Sequence, residues 1–64
     1  TPFIRAAAMS EKWELAAQWT IDASIEPHIT WEYFKNLWEI LFRDTVDSPA
    51  RSAAFERISP VIQP

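Results

Sequence analysis

The sequence contains no cysteine and no glycine, and each absence excludes a class of structure. Without cysteine there is no disulfide framework and no thiolate metal site, so a chain of 64 residues must be held together largely by packing. The same absence is typical of proteins in reducing compartments and favours an intracellular location. Without glycine, tight hairpin turns that need positive φ are disfavoured, and a compact β fold with them.

Clustered positive charge and long apolar runs are also missing. Six basic side chains stand against nine acidic ones, which gives a net charge of −3. Because a phosphate backbone attracts clusters of Lys and Arg, we expect no nucleic-acid partner. No apolar run approaches the roughly 20 residues that a membrane span needs. The chain begins at Thr1-Pro2 and stops at Gln63-Pro64, and we interpret residues 1–64 as a single helical domain, a fragment of a longer chain.

Aromatic residues are abundant, with four Trp, four Phe and one Tyr, and most lie in the stretch TWEYFKNLWEILFR from Thr30 to Arg43. On a helical wheel its polar side chains fall within an arc of about 100°, and apolar side chains cover roughly 200°. So wide an apolar arc predicts a central helix over residues 31–43, capped by Thr30, that neighbours cover from two sides. The polar arc consists of Glu32, Lys35, Asn36, Glu39 and Arg43.

The N-terminal segment, residues 3–24, predicts one long helix, because it lacks proline and glycine and contains strong helix formers. A break at Ser10, with a second helix beginning at Glu11, is the alternative. Pro27 requires the helix to end near Ser24 or Ile25. Its buried face is predicted to be small and to pack closely against the aromatic side of the central helix. That face comprises Trp13, Ala16, Ala17, Thr20, Ala23 and Ser24, continued by Ala6 and Met9, and its predicted partners are Phe34, Leu37, Trp38 and Leu41.

Three hydroxyl-proline pairs, Thr1-Pro2, Ser48-Pro49 and Ser59-Pro60, are typical of helix starts, since the hydroxyl caps the first turn and proline suits position N1. The same dipeptide is the minimal substrate of proline-directed kinases, and phosphorylation of Ser48 or Ser59 is left open. The second pair predicts a short helix over residues 49–58, and residues 60–63 form a fourth helical turn or a packed tail. We expect this third helix to bury Ala54, Phe55 and Ile58 and to expose Arg51, Glu56 and Arg57. The predicted fold is an all-α three-helix bundle.

Residues that could carry chemistry are sparse. The only histidine, His28, lies in the connector after Pro27, and no helical Glu-x-x-His or His-Glu-x-x-His spacing occurs. No motif places a base beside a serine or threonine, and no glycine-rich loop can hold phosphate. We therefore predict no catalytic residue, no cofactor and no metal ligand, and we expect a protein that is not an enzyme.

Surplus apolar surface is the positive functional signal. Leu15 and Trp19 lie well off the small face of the first helix, so they either meet Phe55 and Ile58 of the third helix or form an outward apolar patch. The margins of the apolar arc of the central helix include Tyr33, Ile40 and Phe42. We predict that the chain is an interaction or assembly module, and that protein is bound by Leu15, Trp19, Tyr33, Ile40 and Phe42. The partner is another protein, the remainder of its own chain, or a second copy.

Two alternative functions stay open at this point. Three short helices also suit a helix-turn-helix domain that binds nucleic acid, although Arg51 and Arg57 are the only cations of the helix that would enter the groove. A helix lying on a membrane surface is the other alternative, although Glu32 and Glu39 offset the cations on the polar face of the central helix.

Overall fold

The computed structural model describes residues 2–63, and for Pro2 the backbone only. Within this range the chain forms four helices and no strand: α1 (Pro2–Met9), α2 (Trp13–Ala23), α3 (Trp31–Asp44) and α4 (Pro49–Ile62). The predicted all-α bundle is confirmed, with four helices where three were expected. The predicted cap at Thr1 lies outside the described residues.

Helix α3 supplies the largest buried side chains of the bundle, as its wide apolar arc predicts. Phe34, Trp38 and Leu41 are buried, and every residue of the predicted polar arc is exposed. The indole Nε1 of Trp38 donates a 3.0 Å hydrogen bond to Thr20 Oγ1. That hydroxyl in turn donates to the carbonyl oxygen of Ala16 at 2.8 Å. The buried indole N–H and the buried threonine are therefore both satisfied, which removes the main cost of placing them in a core.

The prediction of one helix over residues 3–24 is wrong, because the chain breaks between Met9 and Trp13. The amide of Lys12 donates to the Ala7 carbonyl at 2.8 Å, and the amide of Glu11 donates to the Ala8 carbonyl at 3.0 Å. This pair of bonds is a Schellman motif, in which the residue after the helix adopts the left-handed conformation. Glu11 occupies that position with φ of 61°.

The break allows α1 to fold back on α2, which one continuous helix could not do. Helix α1 packs against both α2 and α3 and buries Ile4, Ala7 and Ala8. The predicted face was therefore wrong at Ala6 and Met9, which are exposed. Burying Ile4 alone contributes about 1.5–3 kcal/mol. This gain offsets a left-handed non-glycine residue, which costs about 1–2 kcal/mol.

The small face of α2 is buried at Trp13, Ala16, Ala17 and Thr20, as predicted. In space, the α2 backbone lies closer to the backbones of α1 and α4 than to that of α3. The buried side chains between α2 and α4 include the small residues Ala16, Ala17 and Ala54. Because these side chains are small, the two helix axes can approach closely. The large rings of α3 keep its axis farther from the α2 axis. The Trp38 indole spans this separation and hydrogen-bonds to Thr20 on α2.

Helix α4 begins where predicted and ends later. Ser48 is its N-cap, and Ser48 Oγ accepts a hydrogen bond from the Arg51 amide at 3.1 Å. The expected stop at Ser59-Pro60 is wrong, since α4 continues through Pro60 to Ile62. Buried Ala54, Ile58 and Ile62 recur every four residues on one face, and their packing outweighs the single backbone bond that proline cannot donate. Pro60 itself is exposed.

Candidate protein-binding groove

The five side chains predicted to bind protein do not form one surface. Tyr33 and Ile40 are exposed on α3, and Leu15 is exposed on α2. Trp19 is partly buried and meets the ring of Phe3 on α1 edge to face, with centroids 6.1 Å apart. Phe42 is also partly buried, within a cluster of aromatic rings. Protein binding by these residues remains a prediction, and Trp19 and Phe42 lie in two separate clefts.

The cleft at Phe42 is a groove between α3 and the C-terminal half of α4, with a volume of about 440 Å³. We call it the α3–α4 groove. Its lining divides into an apolar set and a polar set. The apolar set is Trp38, Phe42, Phe55 and Ile62, and the polar set is Lys35, Glu39 and Gln63, all exposed.

Four aromatic rings support the apolar side of the groove. Phe42 meets Phe55 edge to face at 5.1 Å between centroids, and this contact joins α3 to α4. On its inner side Phe42 lies 6.4 Å from Trp38 and 6.5 Å from Trp13. The two edge-to-face pairs, Phe42 with Phe55 and Phe42 with Trp13, add about 0.5–1.5 kcal/mol each beyond the area they bury. The groove therefore has walls that are fixed by the core itself.

Arg51 of α4 connects the two helices that form the groove, because its side chain bonds to the end of α3. The prediction that this side chain is exposed was wrong. Only 11% of the Arg51 side chain is exposed. Its Nη1 donates to the carbonyl oxygens of Phe42 and Thr45 at 3.1 and 3.0 Å, and its Nη2 lies 3.2 Å from Asp47 Oδ1. The guanidinium carbon also lies 4.3 Å from the centroid of the Phe42 ring. Arg51 thus caps the C-terminus of α3 from within α4, where a cation is favoured by the helix dipole.

The polar side of the groove carries both signs of charge. Lys35 and Glu39 lie one turn apart on α3, and Lys35 Nζ lies 5.8 Å from the centroid of the Trp31 ring. The only polar atom of the Trp38 side chain is already bonded to Thr20. Hydrogen-bonding side chains are thus confined to the polar set, and the apolar set can select only by shape and apolar contact.

Titratable groups show no catalytic arrangement in the described part of the chain. His28 and Glu26 are both largely exposed, and His28 Nδ1 lies 3.9 Å from Glu26 Oε2. No group of three or more His, Cys, Asp or Glu side chains within residues 2–63 is placed to hold a metal ion. None of the four described helices has both the length and the apolar character needed to cross a membrane.

Sequence reasoning found one wall of the groove and missed much of the other. Phe42 was predicted to bind protein, whereas Phe55 was assigned to the core and Ile62 to a fourth turn or tail. The missing signal was the four-residue repeat of Ala54, Ile58 and Ile62, which Pro60 interrupts in the sequence but not in the helix. Comparison with protein-family models, with curated proteins and with solved structures finds no match for this chain.

Proposed function

We propose that this chain is a non-enzymatic protein-interaction module that binds an amphipathic helix of a partner protein in the α3–α4 groove. The observation that carries this proposal is the groove itself, which is lined by the partly buried rings of Phe42 and Phe55 and by the buried side chains of Trp38 and Ile62, beside the exposed polar set. Grooves between two helices accept apolar side chains spaced three or four residues apart on a partner helix.

The polar set supports a peptide partner over a small polar metabolite. A metabolite needs several convergent hydrogen-bonding groups around it, and here they are confined to one side of the groove. Lys35 and Glu39 can instead each meet an opposite charge on the polar side of a bound helix. Such rim charges set orientation and association rate more than affinity.

The rigidity of the groove supports the same proposal. Arg51 joins the end of α3 to the start of α4 and lies against the Phe42 ring, so both walls are held before any partner arrives. A preformed site avoids part of the ordering cost of association. Arg51 is largely withdrawn from the surface, and this leaves Arg57 as the exposed cation of α4, which weakens the nucleic-acid alternative.

The test is a selection from a displayed library of helical peptides against the wild-type protein, followed by calorimetry with the selected peptides. We expect peptides with apolar residues at i and i+4 to be enriched. The variant Gln63→Trp places an indole at the exposed end of the groove and should abolish their binding. Ile40→Ser, on an exposed part of α3 that does not line the groove, is the matched control and should leave the affinity unchanged.

Two results would overturn the proposal. One is enrichment of peptides whose affinity is the same for the wild type and for Gln63→Trp. The other is a loss of binding in Ile40→Ser that equals the loss in Gln63→Trp, which would assign recognition to the exposed face of α3. Sedimentation of the unliganded protein at several concentrations separates partner binding from self-association, because only self-association depends on its own concentration.

A further inference from the structure

We propose that the cleft between α1 and α2 is a second docking surface, which binds a lysine or arginine side chain from a basic segment of a partner protein. This cleft has a volume of about 380 Å³. We call it the α1–α2 slot, and it is separate from the α3–α4 groove. Its lining residues are Phe3, Ile4, Trp19, Asp22, Ala23 and Glu26.

Two aromatic rings, those of Phe3 and Trp19, line the slot. Phe3 remains 72% exposed although it lies in a helix that buries its neighbour Ile4. Its ring meets Trp19 at an interplanar angle of 73°. A cation placed over the face of such a ring gains about 0.5–2 kcal/mol.

Two carboxylates, those of Asp22 and Glu26, also line the slot, and within residues 2–63 neither forms an ion pair with a lysine or arginine. Asp22 Oδ1 accepts a 3.0 Å hydrogen bond from the neutral amide of Gln18. Glu26 Oε2 lies 3.9 Å from His28 Nδ1, which is a weak contact and is ionic only when the histidine is protonated. The slot therefore presents two negative charges beside its aromatic rings.

The end of α2 adds to this negative field. Its last turn contains no basic residue, so the partial negative charge of the helix C-terminus is not compensated there. Asp22 lies within that last turn and Glu26 follows shortly after it, where a carboxylate is unfavourable for the helix.

Two of the chain's cations, Arg5 and Arg57, interact with groups other than the two carboxylates of the slot. Arg5, the cation of α1, acts on Asp44 at the end of α3, where it helps to lower the pKa of that carboxyl after the larger effect of Arg43. Arg57 reaches Asp22 only indirectly, because it donates to Gln18 Oε1 at 2.8 Å while Gln18 Nε2 donates to Asp22. A lysine or arginine from a partner fits the slot because its aliphatic stem can lie along the rings while its charged end meets the carboxylates.

The test uses two short peptides that differ in one charge, acetyl-Ala-Lys-Ala-amide and the same peptide with norleucine in place of lysine. Binding is followed on the full chain by two-dimensional NMR of the Trp19 indole N–H and the Ala23 amide. We expect saturable shifts with the lysine peptide and none with the norleucine peptide. The affinity should fall as ionic strength rises, because exposed charges are screened.

The double variant Asp22→Asn/Glu26→Gln should weaken binding of the lysine peptide by roughly tenfold or more. Phe3→Ala should weaken it less. The matched control Glu14→Gln/Glu32→Gln removes the same formal charge away from the slot and should leave the affinity within about twofold. All four carboxylates are exposed, so we expect these variants to fold.

Three results would overturn the proposal: no saturable shift with the lysine peptide, equal binding of the norleucine peptide, or equal weakening by the control double variant. None of them bears on the α3–α4 groove, since the probes and the variants concern different residues. The two docking surfaces can therefore fail separately.

Discussion

Two short connections, residues 10–12 and 45–48, reverse the chain by different physical means. Between α1 and α2 the turn is formed by backbone groups, namely the two Schellman hydrogen bonds and the left-handed Glu11. The side chain of Lys12 makes no capping hydrogen bond to α2. Between α3 and α4 the turn is stabilised by side chains. Ser48 caps the start of α4, and Arg51 donates to the Phe42 carbonyl at the end of α3. The first connection contains conformational strain, and the second contains partly buried, charge-assisted hydrogen bonds.

This difference matters for the two proposed docking surfaces. The α1–α2 slot depends on a helix of eight residues held by a strained turn. The α3–α4 groove depends on helices of 14 residues held by Arg51 and by the contact of Phe42 with Phe55. We expect the groove to stay rigid while the slot opens locally at lower free energy, because α1 has only eight residues and leads into a turn with a left-handed non-glycine residue.

The largest expected effect comes from Arg51→Met, which keeps much of the packing volume and removes the guanidinium. The carbonyls of Phe42 and Thr45 lose their shared donor, and Asp47 loses its cation. We expect the free energy of unfolding to fall by about 2–3 kcal/mol. Urea denaturation measures this change. The control Arg57→Met, on the exposed side of α4, should change stability by less than about 0.5 kcal/mol. Equal effects of the two variants would show that Arg51 acts as an ordinary surface charge.

Ser48→Ala tests the other half of the same connection. Removal of the hydroxyl leaves the Arg51 amide without its acceptor in the first turn of α4. Loss of such a cap destabilises by about 1 kcal/mol. Ser52→Ala, on an exposed position inside the helix, is the matched control and should stabilise slightly through helix propensity. A Ser48→Ala variant as stable as the wild type in thermal unfolding would contradict the capping role.

Glu11→Gly tests the first connection and should act in the opposite direction. Glycine adopts the left-handed conformation without a Cβ clash, but it also gains freedom in the unfolded chain. We expect a net stabilisation of about 0.5–1 kcal/mol from these opposing effects. Glu11→Ala retains the Cβ and should change stability little. If Glu11→Gly destabilised the protein in urea denaturation, strain at this turn would be excluded.

The contrast also shows what the sequence could predict. The wide apolar arc of α3 and the Ser48-Pro49 pair follow strong local rules, so residues 31–43 and the start of α4 were predicted closely. The break before Trp13 was not, because the usual mark of a Schellman turn is glycine and this chain has none. Ser10 was considered as the point of a break, but tertiary burial of Ile4, Ala7 and Ala8 decided it.

The candidate sites were harder to predict than the helices, for a related reason. A helical wheel gives the direction of each side chain about its own helix and not the position of neighbouring helices. Trp19 was predicted to lie off the small face of the first helix and Phe42 at a margin of the apolar arc, but their ring neighbours Phe3 and Phe55 come from other helices. Arg51 was predicted to be exposed because a helical wheel of α4 does not include the end of α3, which the Arg51 side chain caps.

The smallest expected effect concerns Arg43, which belongs to the last turn of α3. Its side chain is exposed, whereas that of Arg51, which reaches the same helix end from α4, is largely buried. The Arg43 side chain donates to both carboxylate oxygens of Asp44, at 2.8 and 3.2 Å, and this hydrogen bond lowers the pKa of Asp44 and raises the pKa of Arg43. Because the carboxyl pKa is lower in the folded state, the pair's stabilisation is present above the unfolded pKa of Asp44 and is lost as pH falls through the folded pKa.

We therefore expect an NMR titration to give Asp44 a pKa below the ordinary aspartate value, and Arg43→Gln to move it upward. The stability difference between Arg43→Gln and the wild type should be slight at neutral pH and should vanish in acid, since both groups of the pair face solvent. An ordinary pKa for Asp44 in the wild type would show that the bond is not populated in solution. In that case Arg51 alone would account for the cation at the C-terminus of α3, and the contrast between the two connections would become sharper.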